Sequence, residues 1–434
     1  MDENIKERIL RLIRAEVVPA VGCTEPVAVA LAAARAAELL AGNGRENIAK
    51  IECRLSANII KNAMGVGIPG TGMIGLPIAV ALGALTGSSE RGLEVLADVD
   101  GNAVERSRAL IDSDVISIAL ADEADNLLYI DVKISSADGH TGRAVISGGH
   151  TRFVREETDG KSISADRSAE EGKNGCCDCS IPELDLHTVW DFATTVPVEE
   201  LDFILETRRL NKLAAERALM EPYGHQVGRT LHSERQRRVM GDSMFSRILS
   251  YTAAACDARM GGAPVAVMSN SGSGNQGIAA TMPVVIYAEE TYADHEHTVR
   301  ALVLSHLTSI YIKQSLGRLS ALCGCVVATT GSSAGICYLM GGTFEQVSAT
   351  VKNMVANLTG MICDGAKPSC ALKLTSGVST AIISAMVAME GECVGPLEGI
   401  IDSDVDHTIR NLTAIGRDGM TQTDALILKI MTEK

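Results

Sequence analysis

The sequence has few aromatic side chains and no apolar run long enough to span a membrane. Phe, Trp and Tyr make up 3% of its 434 residues, although 46% of the chain is hydrophobic. The core must therefore be built from Ala, Val, Ile, Leu and Met. The longest apolar runs, such as IGLPIAVALGAL at residues 74–85, fall short of the roughly 18 residues that indicate a span. We expect buried core helices and no membrane partner.

The chain also lacks an excess of basic residues. It carries 39 Lys and Arg against 54 Asp and Glu, which gives a formal net charge of −15. This balance argues against nucleic acid as a partner, whereas local charge decides whether a small anion binds. The first residues, MDENIKERILRLIRAEVV, predict a charged amphipathic helix rather than a secretory signal. We therefore expect a cytoplasmic protein.

Twelve cysteines are many for such a chain, and metal binding or catalysis is a more common role for them than a disulfide framework. In MICDGAKPSC, we expect Cys363 to end one helix and Cys370 to begin the next. Cys323 or Cys325, upstream, would complete a set of three thiolates for an iron–sulfur cluster. Four cysteines are usual, so three leave one iron open as a Lewis acid. The alternative role is that of a small buried hydrophobic residue.

A further cysteine stands in the stretch VGCTEP. Pro26 is favoured at the first position of a helix, so Cys23 is predicted at a helix N-terminus. The helix dipole lowers the pKa of a thiol at that place. Cys23 is therefore a candidate nucleophile, base or labile fourth ligand, and a simple helix cap is the alternative.

The stretch SNSGSGNQG, residues 269–277, leads into an apolar helix. Exposed backbone N–H groups and hydroxyls at a helix N-terminus form a site for anions, and a substrate carboxylate fits there. An ordinary loop rich in serine and glycine is the alternative interpretation.

Two other patterns match enzyme motifs in an unsuitable context. GVGIPG at residues 65–70 and GTGMIG at 70–75 match the dinucleotide fingerprint, but no regular series of βαβ units follows. Close packing explains these glycines better. GSSAG at 331–335 precedes Asp402, Asp404 and His407 in the order of a serine hydrolase, but its surroundings are helical.

The periodicity predicts an α+β fold. Alternation typical of strands occurs at 48–55, 128–136, 142–148 and 151–157, whereas nearly everything after residue 186 has helical spacing. Thr343 and Gln346 form a capping-box pattern. We predict a large all-α catalytic domain and a smaller α+β domain inserted after the N-terminal helices. The boundaries are 1–44 for helices that pack with the helical domain, 45–165 for the α+β domain, 166–183 for a linker and 184–434 for the all-α domain.

Five stretches together resemble one enzyme family: VGCTEP, KNAMGVGIPGTG, SNSGSGNQG, SALCG and NLTGMICDGAKPSCALK. From about residue 5 to about residue 430 the chain resembles the L-cysteine desulfidase family of iron–sulfur enzymes. A more distant likeness is to the iron–sulfur L-serine dehydratases, whose last two cysteines lie farther apart than Cys363 and Cys370.

The resemblance implies a [4Fe-4S] cluster held by three cysteines, with one open iron. The implied ligands are Cys323, Cys363 and Cys370, and Cys325 is the rival of Cys323. Cys23 is implied to act near the open iron, as the base. The expected contacts with a substrate, L-cysteine or L-serine, come from Glu25, Asn62, Ser269, Asn270, Ser271, Gly272 and Asn275.

The implied reaction removes the α-proton and the β-substituent and yields pyruvate and ammonia, with sulfide from L-cysteine. Pyridoxal phosphate is not expected, because no lysine, Lys367 included, stands in a setting that suggests a Schiff base. A homodimer is plausible. The rival interpretations are a non-catalytic module that binds an amino acid, and a zinc or redox protein that also uses Cys176, Cys177 and Cys179.

Overall fold

The computed structural model describes residues 1–40, 45–121, 128–164, 182–317 and 320–433. Its helices are α1 (Glu3–Glu16), α2 (Thr24–Glu38), α3 (Ala57–Ala63), α4 (Leu76–Thr86), α5 (Gly101–Asp112), α6 (Leu186–Thr195), α7 (Val198–Leu201), α8 (Leu205–Met220), α9 (Val227–His232), α10 (Glu234–Met240), α11 (Met244–Met260), α12 (Gly274–Glu290), α13 (His295–Leu316), α14 (Gly324–Leu339), α15 (Phe344–Leu358), α16 (Cys370–Met389), α17 (Val405–Ala414) and α18 (Thr421–Thr432). The strands are β1 (Pro19–Val21), β2 (Ile48–Leu55), β3 (Ile116–Leu120), β4 (Tyr129–Ser136), β5 (Thr141–Ser147), β6 (Phe153–Thr158), β7 (Lys161–Ser164) and β8 (Ala266–Met268). The fold is therefore α+β, as the sequence predicts.

Six strands form one mixed sheet in the order β3-β2-β4-β5-β6-β7. β2 is parallel to β3 and antiparallel to β4, and the remaining neighbours are antiparallel. The predicted strand at 48–55 is confirmed residue for residue, and the three predicted strands that follow are confirmed as β4, β5 and β6. The two edge strands were not predicted, because β3 is largely unburied and β7 is short.

A smaller hydrophobic core lies between the sheet and two apolar helices, α2 and α4. α2 is apolar on all sides, and its alanines allow a close approach: a Cβ on Gly83 of α4 would lie 2.2 Å from the Ala30 carbonyl oxygen. α2 therefore packs with the sheet, which differs from the predicted packing of all of residues 1–44 on the helical part. The periodicity of α2 did not predict this packing, because a helix without a polar face does not indicate which element it packs against.

The larger core is helical. It is built from α6 to α17 together with Ile9 and Ile13 of α1. The predicted helices around 276–288, 299–316, 344–360 and 371–390 are confirmed as α12, α13, α15 and α16. The capping box of Thr343 and Gln346 is also confirmed. The predicted helix over 198–220 is instead divided by a 3-10 turn at Asp202–Ile204.

α16 is the one described helix that is long and apolar enough to cross a membrane by length and composition. Its mean hydropathy is 1.5 and half of it is buried inside the protein. It packs against α14, α15 and α11, as the core helix of a water-soluble domain does. A single helix of this kind is weak support for a span, and a cytoplasmic location stays a prediction.

Candidate active site

A cavity of about 160 Å³ lies where α3 meets the N-terminal ends of α12, α14 and α16. Nine of the eleven site residues predicted from the sequence line it: Cys23, Glu25, Asn62, Ser271, Gly272, Asn275, Cys323, Cys363 and Cys370. Ser269 and Asn270 are buried beside it and are not among the lining residues. The cavity is thus the place where the separate sequence motifs meet.

Besides Cys23, four cysteines line the cavity: Cys323, Cys325, Cys363 and Cys370. Cys323 and Cys363 lie on two chain segments that pair with each other. The backbone N–H of Cys363 donates to the Ala321 carbonyl at 2.6 Å, and that of Cys323 donates to the Met361 carbonyl at 3.0 Å. Cys323 caps α14, and Cys370 is the first residue of α16, as predicted. The prediction that Cys363 ends a helix is wrong, because α15 already ends at Leu358 and the next residues extend to pair with the strand-like segment before Cys323.

Cys323 and Cys325 have different surroundings. The thiol of Cys323 hydrogen-bonds to Cys363, which raises the pKa of Cys323 and lowers the pKa of Cys363. The thiol of Cys325 donates to the backbone carbonyl of Lys373 at 3.2 Å, and its sulfur packs against Gly377. Cys323 is therefore the thiol that lies with Cys363, whereas Cys325 is directed at the backbone of α16.

The cavity is electropositive although the whole chain carries −15. Its lining, within the part of the chain that the structure describes, has the basic side chains Lys61, Arg259, Lys313 and Lys373, with Glu25 as the acidic one. Lys61 forms an ion pair with Asp424 at 2.5 Å. Burial lowers the pKa of Lys313 to about 8. This excess of positive charge favours anionic occupants.

The donor set fits an iron–sulfur cluster better than a single metal ion. Thiolates are the usual ligands of such clusters, and each cysteine binds a different iron, so the sulfurs need not converge on one point. Among the described residues, no three His, Cys, Asp or Glu side chains are close enough to hold one ion. Cys323, Cys363 and Cys370 nevertheless line one cavity. The nearby lysines would offset the charge of the thiolates.

Cys23 caps α2, in the position that the sequence predicts. Its thiol donates to Glu25 Oε2 at 3.0 Å and lies 3.9 Å from the backbone oxygen of Asn62. Burial, and next the negative charge of Glu25, raise the pKa of Cys23 far above its usual value, although Arg259 opposes them. The predicted lowering of this pKa by the helix dipole is therefore wrong, because burial outweighs the dipole. Cys23 is a neutral thiol here.

The serine-rich stretch forms a tight turn before α12. Ser271 and Gly272 have φ values of +49° and +76°, and Asn270 pairs with Ser273, the cap of α12. The hydroxyl of Ser269 donates to the Val18 carbonyl at 2.7 Å. The antiparallel pairing of β1 with β8 holds this stretch beside the chain that leads to Cys23.

Asn270 does not point into the cavity because its side chain is committed elsewhere. Its Nδ2 donates to Nδ1 and to the backbone oxygen of buried His306, both at 3.1 Å. Its Oδ1 accepts from the Ser271 hydroxyl at 2.9 Å. Ser269 and Asn270 therefore shape the turn, while Ser271, Gly272 and Asn275 present it to the cavity.

Sequence reasoning missed several polar cavity residues, among them Arg259, Gln276 and Lys313. Arg259 stands near the end of α11, after the apolar run TAAAC, and an arginine in that setting is a signal that could have found it. Lys313 stands in the same way near the end of α13. Gln276 lay inside the quoted SNSGSGNQG motif but gave no signal of its own.

The competing motifs have structural roles. Gly67 of GVGIPG lies against the backbone of Gly261, where a Cβ would be 2.5 Å from the carbonyl carbon, so close packing explains it. GSSAG lies in the middle of α14, and Ser333 is buried and donates to the Thr330 carbonyl. No strand precedes that serine, which excludes a nucleophile elbow. Cys176, Cys177 and Cys179 lie outside the described residues.

Comparison with known proteins identifies the family of the chain. The family model described as serine dehydratase alpha chain matches residues 90–429. A UPF0597 protein of Phocaeicola vulgatus is 60% identical over 430 residues, covering 99% of this chain and 98% of the relative. One from Bacteroides thetaiotaomicron is 60% identical over 435 residues (100% and 99%), and one from Shewanella halifaxensis is 42% identical over 439 residues (100% of both). The chain therefore belongs to the serine dehydratase alpha chain family.

Of the two resemblances predicted from the sequence, family membership supports the more distant one, to the serine dehydratases. It indicates a lyase of the serine dehydratase kind. The printed names of the relatives state no activity, so they do not support the narrower identification as an L-cysteine desulfidase. The choice of substrate is therefore a matter of proposal.

Proposed function

We propose that the protein is an iron–sulfur lyase that eliminates the β-substituent of L-cysteine and yields pyruvate, ammonia and sulfide. The observation that supports this most is that five cysteines line one cavity together with a turn at a helix N-terminus. Three of them are the proposed ligands, Cys325 is bonded to the backbone of α16, and Cys23 lies beside the Glu25 carboxylate. L-Serine is the second candidate substrate, because the family is described by serine dehydratase.

In this proposal Cys323, Cys363 and Cys370 hold a [4Fe-4S] cluster, and one iron has no cysteine ligand. When bound, the cluster supplies a Lewis acid that makes the thiol or hydroxyl at Cβ a better leaving group. Cys323 is preferred to Cys325 because its thiol already lies with that of Cys363. Lys61 and Lys373 pair with Asp424 and Asp364. Lys313 has no carboxylate partner among the described residues, so it is the lysine proposed to offset the negative charge of the thiolates.

Cys23 is the proposed base for the α-proton. Cys23 is a neutral thiol in the structure, so it can act as a base only after it passes its own proton to Glu25 Oε2, to which it donates at 3.0 Å. A base must reach the proton within hydrogen-bonding distance, and Cys23 lines the cavity that is proposed to hold the substrate. Asn62, Ser271, Gly272 and Asn275 are the proposed contacts with the substrate.

The chemistry balances without an oxidant or reductant. The base takes the α-proton, the Cβ–S bond breaks with its electron pair on sulfur, and the departing sulfide takes up a proton. The aminoacrylate that remains tautomerises to an imine, and water hydrolyses the imine to pyruvate and ammonia. One water enters, and one sulfide, one ammonia and one pyruvate leave. With L-serine, water leaves in place of sulfide.

The test uses protein reconstituted with iron and sulfide in the absence of oxygen. Iron and sulfide content are measured first, and then release of pyruvate and sulfide from L-cysteine, with L-serine in parallel. Release of sulfide with pyruvate supports the desulfidase, whereas pyruvate from L-serine alone makes the protein a dehydratase. A loaded protein that forms pyruvate from neither amino acid would leave the non-catalytic binding module as the explanation.

A further inference from the structure

Two buried polar groups at the cavity have no hydrogen-bond partner. Nε of Arg259 is an unpaired donor and Oε1 of Gln276 is an unpaired acceptor. Both side chains are about 95% buried, with 5% of each exposed, and both line the cavity. Leaving a buried donor or acceptor unpaired is costly, and more so when the group is charged. Such groups therefore indicate a ligand that completes them.

The charge of Arg259 is not neutralised by the protein. No carboxylate in the described chain lies within 4.0 Å of its guanidinium, and its Nη1 donates to Oδ1 of Asn275 at 3.1 Å. The guanidinium lies against the first residue of α12, because a Cβ on Gly274 would be 2.3 Å from Nε. The positive charge and the positive end of a helix therefore coincide at one wall of the cavity.

Gln276 lies two residues after Gly274 on the same helix, on the side of the cysteines. Its amide packs against Gly324, the residue after Cys323, where a Cβ would be 3.0 Å from Cδ of Gln276. The unpaired donor and the unpaired acceptor thus belong to neighbouring walls, and the thiol of Cys323 follows on the second wall. A ligand that carries an anionic group, a cationic group and a reactive β-position would meet Arg259, Gln276 and Cys323 in that order.

We propose that Arg259 and Gln276 recognise the two charged groups of an α-amino acid. Arg259 binds the α-carboxylate, with Asn275 holding the guanidinium in place, and Gln276 accepts a hydrogen bond from the α-ammonium. This assignment rests on the proposed lyase function and adds the residues that select its substrates. It makes α-amino acids the substrate class and excludes β-hydroxy acids and amino alcohols, which each lack one of the two groups.

Three ligands without a β-leaving group separate the two contacts, because none of them is consumed. L-Alanine carries both charged groups, propanoate carries the carboxylate alone, and L-alaninamide carries the ammonium alone. Their dissociation constants are measured by calorimetry on the cluster-loaded protein without oxygen. The variants are Arg259→Gln and Gln276→Met, which keep most of the side-chain volume. Arg259→Lys restores the charge without the planar fork.

Arg259→Gln is expected to weaken the binding of L-alanine and of propanoate about 10- to 100-fold, because a charged hydrogen bond is lost. The dissociation constant of L-alaninamide is expected to stay unchanged. Gln276→Met is expected to weaken L-alanine and L-alaninamide and to spare propanoate. Arg259→Lys recovers part of the affinity for propanoate. Arg247→Gln is the matched control, because Arg247 is on the same helix but is half-exposed and paired with Glu290. Arg247→Gln is expected to leave the dissociation constants of all three ligands unchanged.

Equal weakening of all three ligands by Arg259→Gln would overturn the assignment and leave a structural role for that arginine. Pyruvate formation is measured on the same samples, so that the two proposals can fail separately. If the wild type forms pyruvate and Arg259→Gln has the same KM as the wild type, the proposed lyase function stands and the assignment of Arg259 to the α-carboxylate is wrong. If the predicted pattern of binding occurs but no pyruvate forms, the recognition site stands and the lyase is wrong. If wild type binds none of the ligands and forms no pyruvate, both are wrong.

Discussion

Cys323 and Cys363 are forty residues apart in the sequence and lie side by side because their own backbone amides pair the two segments. Each N–H donates to a carbonyl of the opposite segment, at 3.0 Å from Cys323 and 2.6 Å from Cys363. The main-chain pairing thus brings the two cysteine residues next to each other. A site made in this way exists before any metal binds, because its geometry comes from the fold.

The first prediction concerns the cluster ligands. Cys323→Ser, Cys363→Ser and Cys370→Ser are each expected to lower the iron and sulfide bound after reconstitution to less than half of the wild-type content, because a hydroxyl is a poor ligand for iron. Cys325→Ser is the matched control and is expected to keep the cluster, since its thiol is bonded to the Lys373 carbonyl. Loss of iron from Cys325→Ser with retention in Cys323→Ser would reverse the assignment of the third ligand.

The second prediction concerns Gly365, which lies between two of the proposed ligands. Its φ is +91°, and a Cβ would lie 1.9 Å from the backbone oxygen of Lys61. Gly365→Ala is therefore expected to displace the cysteine turn from α3, to lower the free energy of unfolding by about 2–3 kcal/mol, and to reduce cluster content. Denaturant unfolding and iron analysis measure the two effects.

Gly360→Ala is the control for that prediction. Gly360 precedes the same turn, but a Cβ there has no atom within 4 Å, and its φ is not in the left-handed region. Its substitution is expected to change stability by less than about 0.5 kcal/mol. Equal stability of the two alanine variants would show that the turn does not depend on the close approach to Lys61.

The sequence predicted the cavity's local motifs better than the contacts between them. Cys370 at a helix start and Cys23 at a helix cap follow from short-range rules, because Pro and the apolar spacing lie within a few residues. The surroundings of these groups do not follow from such rules. The raised pKa of Cys23 depends on burial and on Glu25, and burial is a property of the assembled fold.

The roles of Arg259 and Gln276 could not be predicted from the sequence for a second reason. Their importance lies in partners that are missing, and a missing partner can be recognised only when all neighbours are known. The packing of α2 on the sheet is a similar case. Its long apolar stretch predicts that the helix is buried, but it does not predict which element the helix packs against. Local patterns therefore predicted which segments form the site, and the tertiary structure supplied its charge and its unpaired groups.

The third prediction concerns the proposed base. Cys23→Ala and Glu25→Gln are expected to lower kcat for pyruvate formation by about 10²- to 10⁴-fold, the usual contribution of a positioned base, while iron and sulfide content stay at the wild-type level. Cys53→Ala is the control, because Cys53 is also buried but lies in β2 of the sheet. A loss of cluster from Cys23→Ala would instead make this cysteine a ligand.

The last prediction concerns His306, which supports the serine-rich turn through Asn270. Its Nδ1 accepts from Asn270, so its Nε2 carries the proton and donates to the Thr281 hydroxyl at 3.0 Å. Burial lowers the pKa of His306 to about 3, against about 6.5 in an unfolded chain. Between these values the unfolded state binds one more proton. The contribution of His306 to stability is therefore complete above pH 6.5 and falls by about 1.4 kcal/mol for each pH unit below it.

Urea unfolding at pH 7.5, 6.5 and 5.5 measures that slope. His306→Gln is expected to be less stable than wild type at pH 7.5 and to lose this single-proton part of the pH dependence. The difference in stability between the two proteins is therefore expected to shrink by about 1.4 kcal/mol between pH 7.5 and pH 5.5. His295→Gln, a substitution at an exposed histidine, serves as the control and should follow the wild-type curve closely. Parallel curves for wild type and His306→Gln would mean that the imidazole becomes protonated inside the fold, and the turn would then rest on a charged histidine.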